Sequence, residues 1–306
     1  MLRIALAILF ASGMSARLWA GPLDYPNKPF SAAVTMVKRG PMDTEYLVKY
    51  PTALKSLFKP NNTVWGHFFV PNGPVGKRYP CILVLPGMAE PNIWIENQFM
   101  KRFRKDGFAV MWIEMPYQFH RRPAPLVPSG QVFLAHSARE LAFNFRESVL
   151  DARRTLAWIR KNPFVDPHRI GIFGISLGSL VGATVYSVDP IPKYAVFLLG
   201  GADFPHLIEH SAMTRAFIRK LKVTPEELSR EWPGLDPIDY RAQNKGKKVF
   251  LMNGWFDEII PRIYARKLKY AFPDSRQVWV PFGHYSSIVN LFWLPRYVAD
   301  KFLRNL

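Results

Sequence analysis

Cysteine is nearly absent: Cys81 is the one cysteine in 306 residues. That excludes an intrachain disulfide and any zinc site built from a cysteine cluster. Because Cys81 opens the apolar run Cys81-Ile82-Leu83-Val84-Leu85, it reads as a buried structural thiol. The N-terminus lacks the roughly twenty apolar residues that a membrane-spanning helix needs. Its apolar stretch, residues 4–16, is shorter and lies between Arg3 and Arg17. That length suits the apolar region of a secretory signal peptide. Residues 1–20 are therefore expected to direct export to the periplasm or beyond, with a retained N-terminal membrane anchor as the alternative, and residues 21–306 to form a single domain.

Acidic residues are also in short supply. Asp and Glu number 23 against 41 Lys and Arg, a formal net charge of +18. The basic residues are spread over several expected helices, as in Lys101, Arg102, Arg104 and Lys105, or Arg262, Arg266 and Lys267. Solvated helix faces explain such a spread, and attraction to an anionic membrane surface or an acidic substrate is the sharper alternative. Nucleic-acid binding is not expected, since no binding module accompanies the charge. No internal repeat or low-complexity segment is present. His206 and His210 are spaced for one helix face with Glu209 beside them, but a third ligand is missing, so no metal is expected.

What is present is a regular alternation. Hydrophobic residues make up 49% and charged residues 21% of the chain, as in an ordinary globular protein. From about residue 44, apolar runs of strand length alternate with amphipathic segments of helix length. Strands are expected at 46–50, 63–70, 81–85, 109–115, 169–175, 194–199, 247–253 and 277–280, the first two antiparallel. Helices are expected at 93–105, 138–160, 177–187, 261–271 and 287–303, and a proline-rich loop at 116–130. Such alternation predicts an α/β fold: a mostly parallel central sheet with helices on both faces. Residues 204–232 read as interrupted helix between two core strands, which makes 204–245 a candidate small lid.

The strongest local signal is Gly174-Ile175-Ser176-Leu177-Gly178, placed where a strand turns directly into a helix. So sharp a turn admits only glycine two residues before and after the serine, and it lifts the hydroxyl above the sheet at a helix N-terminus. Chance alone would supply the pattern about once in ten chains of this length, so the weight rests on partners. A serine needs a base that is itself oriented by an acid. On a sheet of this kind the acid follows first and the histidine second, each after a later strand. Asp257 follows the strand ending at Asn253, and His284 follows Val278-Trp279-Val280-Pro281-Phe282-Gly283. Ser176, Asp257 and His284 are the expected triad. Acyl transfer also needs an oxyanion hole. The backbone N–H of Leu177 is one donor by position, and the turn Pro86-Gly87-Met88 offers that of Met88 as the second.

These residues resemble the α/β-hydrolase superfamily from about residue 62 to the C-terminus. The resemblance is carried by Leu85-Pro86-Gly87-Met88, by Asp166-Pro167-His168-Arg169 running into Ser176, by Asn253-Gly254-Trp255-Phe256-Asp257 and by Phe282-Gly283-His284. The segment before Ser176 is similar to the branch of dienelactone hydrolases, acetyl xylan esterases and prolyl oligopeptidases. It departs from that branch in having Pro86-Gly87 where His-Gly is usual, serine where dienelactone hydrolases use cysteine, and no room for a propeller. The loop Pro116-Tyr117-Gln118-Phe119-His120-Arg121-Arg122-Pro123 resembles a Pro-Tyr-x-x-x-Arg stretch of uncharacterised α/β-hydrolase-domain proteins, and Arg121 or Arg122 is a candidate for holding an anionic substrate group. The resemblance implies a serine hydrolase that cleaves carboxylic esters, of a small molecule or a lipid, through an acyl-enzyme and without a cofactor. The alternatives are a lipid acyl hydrolase at an anionic membrane surface and a non-catalytic ligand-binding homologue.

Overall fold

In the strand Tyr79–Leu85 (β4), Cys81, Leu83 and Leu85 enter one apolar core while Ile82 and Val84 enter another. Strands buried on both faces carry continuous apolar runs, and successive side chains point to opposite sides. The same division holds in Ala109–Ile113 (β5), Tyr194–Leu198 (β7) and Val249–Gly254 (β8). These strands, with Val165–Ile175 (β6) and Arg276–Val280 (β9), form the parallel part of one sheet. Ala33–Arg39 (β1), Asp43–Pro51 (β2) and Thr63–Pro71 (β3) extend it antiparallel, in the order β1-β2-β3-β5-β4-β6-β7-β8-β9. The chain is described by a computed structural model at Leu23 and residues 29–88, 92–134 and 137–306. The expected signal peptide, residues 1–20, lies outside the described residues. No helix among the described residues is long and apolar enough to cross a membrane.

Helices Trp94–Lys105 (α1) and Leu294–Leu303 (α8) cover one face through Phe99, Phe103, Val298 and Phe302. The other face is covered by Ala138–Lys161 (α2), Leu177–Val188 (α3) and Arg262–Ala271 (α7). Between β7 and β8 the chain makes three short helices, Phe204–His210 (α4), Arg215–Leu221 (α5) and Pro225–Glu231 (α6). Thr224 caps α6 with a full capping box to Glu227, which is why the helical stretch restarts there.

Two elements differ from the sequence expectation. β1 was not expected: every residue of it is exposed, so no apolar periodicity marks it, and only its ladder to β2 holds it. The closing helix is shorter than residues 287–303. Ser286–Phe292 is a 3-10 turn and the α-helix begins at Leu294, with Pro295 in its first turn. Proline fits that first turn, where an N–H has no helical partner.

Candidate active site

β6 ends at Ile175, and Ser176 takes φ 52°, ψ −117° as the N-cap of α3. Non-glycine residues rarely adopt positive φ, and here the neighbours enforce it. A β-carbon on Gly174 would lie 2.3 Å from the carbonyl oxygen of Gly178, and one on Gly178 would lie 2.0 Å from that of Leu85. The elbow therefore packs backbone against backbone, with β4 pressed onto the start of α3. The Ser176 N–H donates to the Leu198 carbonyl at 3.0 Å.

The other two strand ends are joined to each other. Trp255 N–H donates to Val280 O at 2.8 Å, and Phe256 N–H to Phe282 O at 3.1 Å. A β-carbon on Gly254 would meet Phe282 O at 2.4 Å, so only glycine lets the loops close. This zipper brings together the residues that follow β8 and β9. His284 Nδ1 lies 2.8 Å from Asp257 Oδ2, and His284 Nε2 lies 2.9 Å from Ser176 Oγ. Asp257 Oδ1 accepts from the N–H groups of Ile259 and Ile260 at 2.9 and 2.8 Å. That leaves Oδ2 aimed at the imidazole. The Asp257 carboxylate is 1% exposed, so water hardly competes for it.

Leu177 is the first residue of α3, where the backbone N–H has no helical acceptor. Met88 follows Gly87 in the turn after β4. Both polar groups of Gly87 are held by buried side chains: its N–H donates to Glu96 Oε1 at 3.0 Å, and its carbonyl accepts from Gln118 Nε2 at 2.6 Å. Burial pushes the Glu96 carboxyl above the usual range, against the pull of the Gly87 N–H. Neither Glu96 nor Gln118 was expected from the sequence. Glu96 looked like an ordinary polar residue of an amphipathic helix, and Gln118 lay in the loop read for its arginines.

Two apolar cavities meet at Ser176, one of about 190 Å³ and one of about 80 Å³. Met88, Ser176 and Met213 line both. The larger runs under Ser286–Phe292 and α8, past Ile288, Leu291 and Leu294. The smaller is walled by Phe204, Leu207, Ile208 and Trp232 from the segment between β7 and β8. Among the described residues, neither lining contains Asp, Glu, Lys or Arg.

The expectation for Arg121 is corrected, and Arg122 lines neither cavity. Arg121 is fully buried and lines neither cavity. The 3-10 turn Phe119–Arg121 turns it inward, where its donors reach Asn61 O, Glu114 O, Glu147 Oε1 at 3.0 Å and Asp151 Oδ2 at 2.9 Å. All three guanidinium nitrogens are thus engaged inside the protein, away from both cavities. Arg122 folds back onto its own loop, donating to Phe119 O and Pro125 O. His206 contacts Asp203 Oδ1 at 2.7 Å, and His210 Nδ1 lies 2.8 Å from the Tyr264 hydroxyl. No group of three or more His, Cys, Asp and Glu among the described residues is arranged to hold a metal ion.

No protein-family profile and no curated protein sequence matches the chain. Solved structures do. An acetyl xylan esterase from Paenibacillus superposes with a TM-score of 0.70 at 18% identity, over 91% of this chain and 90% of that one. An acetyl xylan esterase from Thermoanaerobacterium gives 0.66 at 16% identity, over 87% and 86%. A cold-adapted esterase from an Arctic intertidal metagenomic library gives 0.60 at 17%, over 91% and 100%. At such identities the likeness concerns the fold: the chain has the α/β-hydrolase fold.

Proposed function

We propose that the protein is a serine hydrolase acting on carboxylic esters. The observation that carries the reading is the unbroken relay from Ser176 Oγ through His284 to Asp257, with hydrogen-bond separations of 2.9 and 2.8 Å. Three residues from three strand ends meet in the relation that nucleophilic acyl transfer requires. His284 Nε2 takes the hydroxyl proton as Ser176 Oγ attacks the ester carbonyl carbon. Asp257 holds the imidazole in the tautomer that leaves Nε2 free to accept, and it stabilises the imidazolium that forms. The negative charge on the carbonyl oxygen falls to the N–H groups of Leu177 and Met88 at the positive end of α3. Collapse expels the alcohol with the proton from His284, and water then repeats the sequence on the acyl-enzyme.

The cavities support a substrate with uncharged, apolar groups on both sides of the scissile bond, since an unpaired charge entering either one would be desolvated without compensation. The acetyl xylan esterases that share the fold make an ester substrate reasonable.

A fluorophosphonate probe should label Ser176 in the folded protein. Ser176→Ala and His284→Ala should each lower turnover of a soluble ester roughly ten-thousandfold or more. Failure of labelling, or a wild-type rate in Ser176→Ala, would show a non-catalytic protein that merely keeps the fold.

A further inference from the structure

The turn that carries Tyr285 and the residues of Ser286–Phe292 has its polarity reversed. Its polar side chains bond back to the backbone of their own turn and tie it together. Ser286 Oγ accepts from Gly283 N–H at 2.9 Å, Ser287 Oγ donates to His284 O at 2.7 Å, and Asn290 Nδ2 donates to Ser287 O at 3.1 Å. Asn290 is buried. The apolar side chains point out: Tyr285 is 70% exposed, Ile288 43%, Val289 52% and Phe292 88%. Residues 285–295 contain no charged side chain, in a chain where 21% are charged. Phe256, 66% exposed, shares a shallow surface groove with Tyr285. Single exposed apolar residues need no explanation, but a contiguous group at the mouth of a site marks an interaction surface.

We propose that this face docks the protein on an anionic lipid surface, and that the ester drawn to Ser176 is a lipid ester. The second part rests on the hydrolase reading; the first does not. Two observations commit the surface to lipid. The turn is continuous with the site, because Tyr285, Ile288 and Leu291 also line the larger cavity beside Ser176. Apolar groups pressed into the lipid would open directly onto the cavity that takes an apolar chain. The second observation is charge. A formal +18 favours an anionic surface over a neutral one, and exposed Arg296 stands just beyond the turn in the first turn of α8. Arg262 holds its guanidinium 3.9 Å above the ring of half-exposed Trp255, the residue before Phe256 in the chain. Exposed Glu258, beside Phe256 and Tyr285, is the opposing charge and is outweighed. Apolar insertion and basic attraction together are what hold a peripheral protein at an interface.

The test is co-sedimentation of the full chain with phosphatidylglycerol vesicles and with phosphatidylcholine vesicles, for wild type and for Val289→Ser/Phe292→Ser. Neither substituted residue lines a cavity at Ser176, so thermal melting and turnover of a short soluble ester should match wild type and show the variant folded. Wild type should bind the anionic vesicles, less tightly as salt is raised, and the double variant should bind roughly tenfold or more weakly. Equal wild-type binding to both vesicle types, or undiminished binding by the variant, would overturn the proposal. So would a concentration-dependent dimer, seen by sedimentation velocity without lipid, that the double substitution abolishes; the face would then belong to a second copy. Ser176→Ala should bind vesicles as wild type does, so loss of the hydrolase reading and loss of the docking surface give separate outcomes.

Discussion

Gly87 cannot turn without breaking two buried hydrogen bonds, one to Glu96 and one from Gln118. Both side chains are within 1% of full burial, so water cannot replace either bond. The next N–H along the chain is that of Met88, which the proposed chemistry makes the second donor for the oxyanion. In the proposed chemistry Glu96 is thus a positioning residue: it touches no reacting atom and fixes the group that does. Glu96→Ala should lower kcat on a soluble ester roughly ten- to a hundredfold while KM changes little, because the donor matters mainly once the oxyanion has formed. Glu96→Gln keeps a carbonyl oxygen for the Gly87 N–H and should restore most of the rate. A wild-type kcat for Glu96→Ala, or an effect confined to KM, would remove Glu96 from the mechanism. At this scale the sequence is informative where a residue's neighbours in the chain determine its role. Ser176 announces itself through two flanking glycines and a strand–helix junction, whereas Glu96 and Gln118 acquire their roles only when α1 and the loop after β5 close over Gly87. Arg121 was misread for the same reason, since a 3-10 turn decides whether it faces the site or the interior.

Elements bring these residues into register. The parallel strands were legible because burial on both faces leaves continuous apolar runs, and their C-terminal ends gave the order Ser176, Asp257, His284. Less legible were pieces that lean on something other than apolar periodicity: β1, held by its ladder to β2, and the turn Ser286–Phe292, held by serine and asparagine side chains. The most demanding contact between elements is that of α3 with β4. Any β-carbon at position 178 would fall 2.0 Å from Leu85 O and 2.8 Å from Pro86 O, and a backbone cannot swing aside as a side-chain tip can. Gly178→Ala should therefore cost about 3 kcal/mol, the upper end of ordinary overpacking. It should also displace the turn that carries Met88, so activity should fall in the fraction that still folds. Urea unfolding of the purified variant measures the first effect. A loss below about 1 kcal/mol would mean that the elbow has slack which the contact geometry denies.

For the whole molecule the decisive balance is between a surface rich in positive charge and an interior that holds carboxyl groups. Arg121 faces two of them, Glu147 and Asp151, so its single charge leaves one in excess. Burial, opposed by Arg121 and reinforced by Asp151, pushes Glu147 up to about 8. Burial also raises Asp236 to about 6, and it raises Glu96 and Glu114. A carboxyl with a raised folded pKa keeps a proton that the unfolded chain has already released. Its contribution to stability is whole below the unfolded value and is lost as pH rises through the folded one. The protein should accordingly lose stability between about pH 5 and about pH 8, by no more than about 1.4 kcal/mol per pH unit for each such group. Asp236 completes its share near pH 6, whereas Glu147 keeps contributing through the upper limb. Lys247, pushed down to about 8 by burial, acts in the opposite sense only above that pH. Glu147→Gln keeps, in its amide oxygen, an acceptor for the Asn61, Thr52 and Arg121 donors while removing the titration. Urea midpoints measured across this range should fall less steeply for Glu147→Gln than for wild type above about pH 6. Parallel curves for the two proteins would mean that Arg121 neutralises both carboxylates and that the slope arises elsewhere.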